Sequence, residues 1–305
     1  MPRIVTMIAS ATEIVCVLGL EGDLVARSHE CDWPARVKRL PVCTAPRFDV
    51  HGSSLEIDER VKSLLEQALS IYRVDAEMLR KLQPDVIVTQ SHCEVCAVSE
   101  KDVQNALGDW LDGKAKIVSL SPNNLADVWQ SIRNVADALG VSPNGEQVLR
   151  GLQDRVQRIN ERIPPSGERP TVACLEWLNP LMAAGNWVPE LVELAGGRNL
   201  FGHAGKHSPW MTWTELADRD PDVIIAMPCG FALAKTSSEM ATLRQQTAWR
   251  NLKAVRNRRV YVTDGNQFFN RPGPRLVESL EILAEICHPD RFSFDHEGTA
   301  WQKDA

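Results

Sequence analysis

The chain has 305 residues, of which 44% are hydrophobic and 24% charged, with a formal net charge of −6. That length and composition suit two globular domains of roughly 140 residues each. The acidic balance leaves no basic stripe, so nucleic acid is excluded as a partner, and no apolar run reaches the ~20 residues of a membrane-spanning helix.

In chain order, residues 3–9 read as a strand and residues 10–20 as a helix, with Ser10 or Thr12 as its cap and Gly19 near its end. The opening residues show no basic stretch, long apolar core or small-residue cleavage site. A cytoplasmic location is therefore expected, or a periplasmic or extracytoplasmic one for a trimmed mature chain. A short strand over 24–27 runs into a polar and aromatic loop at 28–34. Helical spacing recurs over 55–69 and 76–82, then a strand over 86–89, a cysteine loop, a helix over 98–107 and a strand over 116–120. Residues 125–139 form an amphipathic helix. Residues 143–163 form one uninterrupted charged helix, closed by Pro164 and Pro165, and about 20 helical residues extend roughly 30 Å. An α/β pattern then restarts: strand 171–175, helix 189–195, helix 212–219, strands 223–226 and 260–263, and helix 276–286. Gly196-Gly197 reads as a helix C-cap, and the tail from His288 as a loosely packed extension.

One phrase occurs twice. Leu82-Gln-Pro-Asp-Val-Ile-Val88 and Arg219-Asp-Pro-Asp-Val-Ile-Ile225 each end a helix, stop at Pro-Asp, and enter a β-branched run followed by a cysteine-bearing loop. Such runs mark strands buried on both faces of a parallel sheet. The fold expected is α/β, two Rossmann-like parallel-sheet lobes joined by one long backbone helix, with lobes at 1–140 and 166–305 and the helix within 141–165. In open α/β sheets, ligands bind where loops leave the carboxyl ends of the strands.

Of the eight cysteines, Cys16, Cys174 and Cys287 sit in apolar patterns and read as small buried hydrophobes. Cys31, Cys93, Cys96 and Cys229 each follow a strand in a loop. His92-Cys-Glu-Val-Cys96 has the spacing of a soft-metal or dithiol pair, and His29, Cys31 or Cys229 could complete it. Zinc, an iron–sulfur cluster, an open position for a metal-containing ligand, a low-pKa thiol, and unconnected loop cysteines all remain compatible with the pattern. His203 and His207 read as surface residues. Glu176 reads equally as a ligand hydrogen-bond partner and as a solvated strand-end carboxylate. No paired acids, nucleophile elbow or phosphate loop appears, so binding is favoured over catalysis.

The opening Arg3-Ile-Val-Thr-Met-Ile-Ala-Ser-Ala-Thr-Glu-Ile-Val-Cys-Val-Leu-Gly-Leu20 resembles that of the helical-backbone substrate-binding proteins of ABC importers, most closely the cobalamin-binding group. Both Pro-Asp phrases, Leu194-Ala-Gly-Gly-Arg-Asn-Leu200 and Gly273-Pro-Arg-Leu276 extend the match from residue 3 to about 286. The resemblance implies a soluble binding protein that holds a corrinoid such as cobalamin, or another large metal chelate, between two lobes. It places Trp33, Trp177, Trp187, Phe268, Phe269, Arg271 and Glu176 at the ligand, each ring being equally suited to core packing. The alternative is a cytosolic metal- or iron–sulfur-binding protein, with or without enzymatic activity. It would use Cys31, Cys93, Cys96, Cys229, His29 and His92 as ligands. Importer docking in this family uses an acidic side chain on each lobe. Glu77 occupies that place eight residues before Asp85, whereas the matching place before Asp222 holds Thr214, with Glu215 one position off. Importer docking is accordingly doubtful.

Overall fold

In a computed structural model, residues 2–67, 69–92, 97–111, 114–163 and 169–304 are described, Asp109 by its backbone only. The chain divides into two compact units. The first comprises Met1–Gly52, Glu56–Pro122 and Ala126–Gly151; the second comprises Ser53–Leu55, Asn123–Leu125 and Leu152–Ala305.

From its start the chain forms β1 (Ile4–Thr6), α1 (Ala9–Val17), β2 (Leu24–Arg27), β3 (Thr44–Pro46), α2 (Ser54–Glu66), β4 (Tyr72–Val74) and α3 (Ala76–Leu82). Then come β5 (Val86–Gln90), α4 (Glu100–Leu107), β6 (Lys116–Leu120), α5 (Leu125–Ala138) and α6 (Ser142–Arg162). The first unit's main sheet has the order β2–β1–β5–β6, all parallel, and β3 pairs antiparallel with β4. Every residue of β1 and β5 is buried, as strands covered on both faces require. In α1 the residues from Ala9 to Val15 are all buried, so this helix packs on every side. It starts straight from β1, with Ile8 at the N-cap position and no side-chain cap. Ser10 and Thr12, expected as caps, therefore lie within the first turn, where the Thr12 hydroxyl meets that of Thr6 at 2.7 Å.

The second unit forms β7 (Thr171–Leu178), β8 (Leu181–Ala183), α7 (Val188–Leu194), β9 (Arg198–Asn199), α8 (Trp213–Arg219) and β10 (Val223–Ala226). It continues with α9 (Leu233–Arg244), α10 (Lys253–Arg256), β11 (Val260–Thr263), α11 (Leu276–Cys287) and β12 (Trp301–Lys303). Its sheet runs β12–β11–β10–β7–β8, with β9 also on β7. The central pairs β11/β10 and β10/β7 are parallel, and the flanking β12 and β8 are antiparallel. The 21-residue α6 belongs to the first unit up to Gly151 and to the second from Leu152.

The twice-said phrase has a structural cause. Each copy ends a helix on a left-handed residue, Gln83 at φ 46° and Asp220 at φ 38°. Each aspartate then bolts down the neighbouring strand. Asp85 Oδ2 accepts from the Arg3 backbone N–H at 2.7 Å, and Asp222 Oδ2 accepts from the Thr171 N–H at 2.8 Å and its hydroxyl at 2.7 Å. Burial pushes Asp222 up, but hydrogen bonds from Lys253 and Thr171 outweigh it and hold the carboxyl at about 2.

The tail is not loose. Phe292, Ala300 and Trp301 are buried, and β12 completes the sheet. The Trp301 indole N–H donates to Glu285 Oε2 at 2.7 Å, and its ring meets Tyr261 edge-on at 5.5 Å. Large-aromatic truncation in a core removes about 3–5 kcal/mol. Trp301→Ala is expected to lower stability by that amount in urea unfolding; a change within about 0.5 kcal/mol would restore the loose tail.

Candidate functional site

The carboxyl ends of the parallel strands form a face on each unit. On the first unit, β2 delivers the loop from Ser28 to Trp33. The His29 backbone N–H donates to Thr44 Oγ1 at 3.0 Å, its ring Nδ1 lies 2.7 Å from the same oxygen, and Thr44 donates to Ser28 Oγ at 3.0 Å. The hydroxyls of Thr44 and Ser28 thus both approach the His29 ring at Nδ1, the second at 3.4 Å. Burial, with Arg27 second, holds the His29 pKa down to about 4, so the imidazole is neutral at pH 7. The ring stands 5.6 Å from Tyr72. Trp33 and His92 are half-buried on the same unit.

The expected metal centre is not assembled by the described residues. Cys31 is fully buried, beside the Thr12 and Thr6 hydroxyls, and burial pushes its thiol up to about 11. A metal ligand must be a thiolate, and this sulfur is protonated and sealed. Cys93 and Cys96 lie outside the described residues. Cys229 is half-buried after β10, in the other unit. Among the described residues no group of three or more His, Cys, Asp or Glu is placed to hold a metal ion. Zinc and an iron–sulfur cluster therefore have no support.

On the second unit, Glu176 and Trp177 end the long β7. Ser208 donates to Glu176 Oε2 at 2.8 Å while accepting from the Gly185 N–H at 3.0 Å. Burial pushes the Glu176 pKa up to about 7 against these hydrogen bonds. Trp177 lies 5.3 Å from Phe231, whose other partner is the Lys235 ammonium at 4.0 Å from the ring centre. Trp177 Nε1 is buried and makes no hydrogen bond among the described residues.

The loop after β11 is tied to the loop after β10. Asn270 donates to the carbonyls of Met227 and Gly265 at 3.0 and 2.8 Å, and a Cβ on Gly265 would stand 2.2 Å from the Pro228 carbonyl oxygen. Arg271, buried, reaches Asn266 Oδ1 at 3.1 Å; Arg275 reaches Gln267 Oε1 at 2.8 Å and stacks 4.7 Å over Phe268. Two expected ligand rings are packed inward. Phe269 is fully buried at φ 66°, and Trp187, also buried, donates its indole N–H to the Phe269 carbonyl at 2.6 Å. Both rings hold the loop in place. The half-buried Trp177 and Phe268 keep some surface. Sequence reasoning passed over Thr44, Ser208 and Lys235: lone hydroxyls and a helix lysine carry no pattern of their own.

A family model described as "Periplasmic binding protein" matches residues 4–266. An ABC transporter substrate-binding lipoprotein of Bacillus subtilis (strain 168) is 22% identical over 298 residues, 95% of this chain and 81% of that protein. A vitamin B12-binding protein of Pectobacterium carotovorum is 24% identical over 292 residues, 93% and 87% respectively. Among solved structures, a periplasmic heme-binding protein from Pseudomonas aeruginosa superposes with TM-score 0.74 at 20% identity, covering 100% of this chain and 99% of its own. The periplasmic vitamin B12-binding protein of Vibrio cholerae gives 0.66 at 18%, covering 94% and 96%. These likenesses show the two-lobed α/β fold. They also overturn the cytoplasmic placement: the matched family and these structures are periplasmic and the Bacillus relative is a lipoprotein. That placement rested on the first residues, which lead into β1 and say nothing of compartment.

The two shifted groups predict opposite pH slopes. Glu176 takes up its proton more readily folded than at its ordinary 4.5, so its contribution to stability falls as pH rises from 4.5 to about 7. His29, held down to about 4 from 6.5, contributes stability that grows between those values. Glu176→Gln removes the first slope and leaves the second. Between pH 4.5 and 7 the wild type is expected to lose up to about 3 kcal/mol relative to that variant. Parallel denaturation curves across this range would show Glu176 to be ordinary.

Proposed function

Because the chain belongs to the periplasmic binding protein family, we propose that it binds a corrinoid, or a closely related large metal chelate, as a solute-binding protein. The observation that carries this reading is similarity along almost the whole chain to vitamin B12-binding proteins, at 24% and 21% identity over 93% of the chain. The heme-binding structures among the fold neighbours make heme the chelate to test beside it.

The chemistry of each face supports the reading. On the second unit, the half-buried Trp177 and Phe268 offer ring surface of the kind that stacks on a planar macrocycle at small entropic loss, with the buried Phe231 packed against Trp177. Trp177 Nε1 is a donor left without an acceptor among the described residues, and Glu176 near pH 7 serves as donor or acceptor for amide groups on a macrocycle's rim. On the first unit, His29 presents a neutral imidazole, the form that ligates a metal. Arg271 is assigned to hold Asn266 and the loop around it.

Docking on an importer is expected to be weak. Glu77 is exposed in the first turn of α3. In α8, however, Glu215 Oε2 is spent on the N-terminal cap, accepting from the Thr212 N–H at 2.7 Å and hydroxyl at 2.8 Å. A pull-down with a corrinoid importer's membrane subunits is expected to recover little of the chain; tight, salt-sensitive capture would contradict this.

Titration of the protein with cyanocobalamin, cobinamide and hemin, followed by visible absorption, tests the ligand. Saturable binding of a corrinoid is expected, weakened roughly tenfold or more in Trp177→Ala, with the metal-centred spectral change lost in His29→Ala. Absence of binding by all three chelates would sink the proposal.

A further inference from the structure

The second unit carries a cavity of about 370 Å³ lined by Arg155, Arg158, Ile159, Glu161, Arg162, Glu281 and Phe294, none of them a residue of its strand-end face. That volume falls in the range of small-molecule sites. Its arginines are spaced i, i+3 and i+7 along α6, which sets them on one helix face. Two of the three are held in place. Arg155 directs Nε and Nη2 at Glu281 Oε1, at 3.1 and 2.8 Å. Arg162 lies over the Phe292 ring at 4.4 Å and donates to the Arg291 carbonyl. Arg158, between them in sequence, is exposed and makes no hydrogen bond or ion pair among the described residues.

The lining carboxylates are already engaged. Glu281 is held by Arg155 and by His296 at 3.1 Å, and Glu161 accepts from Gln157 at 2.7 Å. Three guanidinium groups set against two carboxylates leave the lining with an excess of one positive charge. A guanidinium has five N–H donors, so Arg155 and Arg162 keep donors to spare beyond those contacts.

The apolar part of the lining is planar. Phe294 stacks on Phe292 at 5.9 Å with 17° between the rings, and the Arg162 guanidinium covers the other partner of that stack. The Arg162 guanidinium and the Phe294 ring, both neighbours of the Phe292 ring, line the cavity beside the buried Ile159. A flat aromatic body extends such a stack, and guanidinium groups favour phosphate or carboxylate by paired N–H donation.

We propose that this cavity is a second binding site, for a flat aromatic anion of the aryl phosphate type, independent of the strand-end faces. The probe is phenyl phosphate, titrated calorimetrically into the full-length protein. One-site binding is expected. It should fall with added salt, weaken roughly tenfold in Arg158→Gln, and weaken also in Phe294→Ala. Phenol and inorganic phosphate, each holding half of the recognised chemistry, should bind at least roughly tenfold more weakly. Arg158 is exposed, so its replacement leaves the fold unaltered, which circular dichroism verifies. No saturable binding of phenyl phosphate, unchanged binding in Arg158→Gln, or inorganic phosphate binding as tightly as the ester would each overturn the site. Displacement of the probe by cobinamide would also overturn it, by moving the probe to the face described above. The corrinoid reading stands or falls separately, on the chelate titration.

Discussion

A carboxylate fixes a central strand of each unit at the end opposite its carboxyl-end loop. Asp85 holds the first residue beside β1 and Asp222 the first residue of β7, through main-chain N–H groups that would otherwise begin a strand unpaired. A parallel strand that slips by one residue turns every side chain to the opposite face. The loops at the far ends of β2, β5, β7 and β10 can offer a constant surface only if that register is held. The same aspartate also terminates the preceding helix through its proline and left-handed residue, so one dipeptide sets both where the helix stops and where the strand starts.

Three groups at the strand ends are muted in charge. Burial leaves His29 neutral, raises Glu176 towards neutrality and keeps Cys31 as a thiol. A buried ion without a partner is costly, and these groups avoid it by giving up charge and keeping hydrogen-bonding capacity. Elsewhere a partly buried charge is paired, as in Arg155 with Glu281.

The framework was legible because its signals are local and repeated. The paired Pro-Asp phrases, the β-branched runs at β5 and β10, and the long charged α6 all carried their own periodicity. The three-residue strands β3, β4, β8 and β12 span too little chain to show alternation, and α9 mixes lysine, threonine and serine into its apolar positions. The tail from His288 read as loosely packed because the partners of Trp301, Tyr261 and Glu285, lie far back in the chain. Site chemistry was read less well for the same reason. Cysteine spacing suggested a cluster, but whether a sulfur is sealed, as at Cys31, depends on Thr6 and Thr12 packed over it. Aromatic residues in strand-end loops divide into packing and surface rings only by their neighbours: Phe269 is pinned by Trp187 and Ser279, while Phe268, its immediate neighbour, stacks under Arg275.

The contact of Gly265 with the Pro228 carbonyl limits how this face can diversify. With no room for even a methyl group, and Asn270 bridging the two carbonyls across the gap, the loops after β10 and β11 are a single rigid plate. Neither can be lengthened or bent alone without opening the other. New ligand preference on this unit has to come from exchanging side chains upon a fixed backbone, at positions such as Phe231, Lys235, Gln267 and Phe268. Family members with different loop lengths here would have to have changed both loops together.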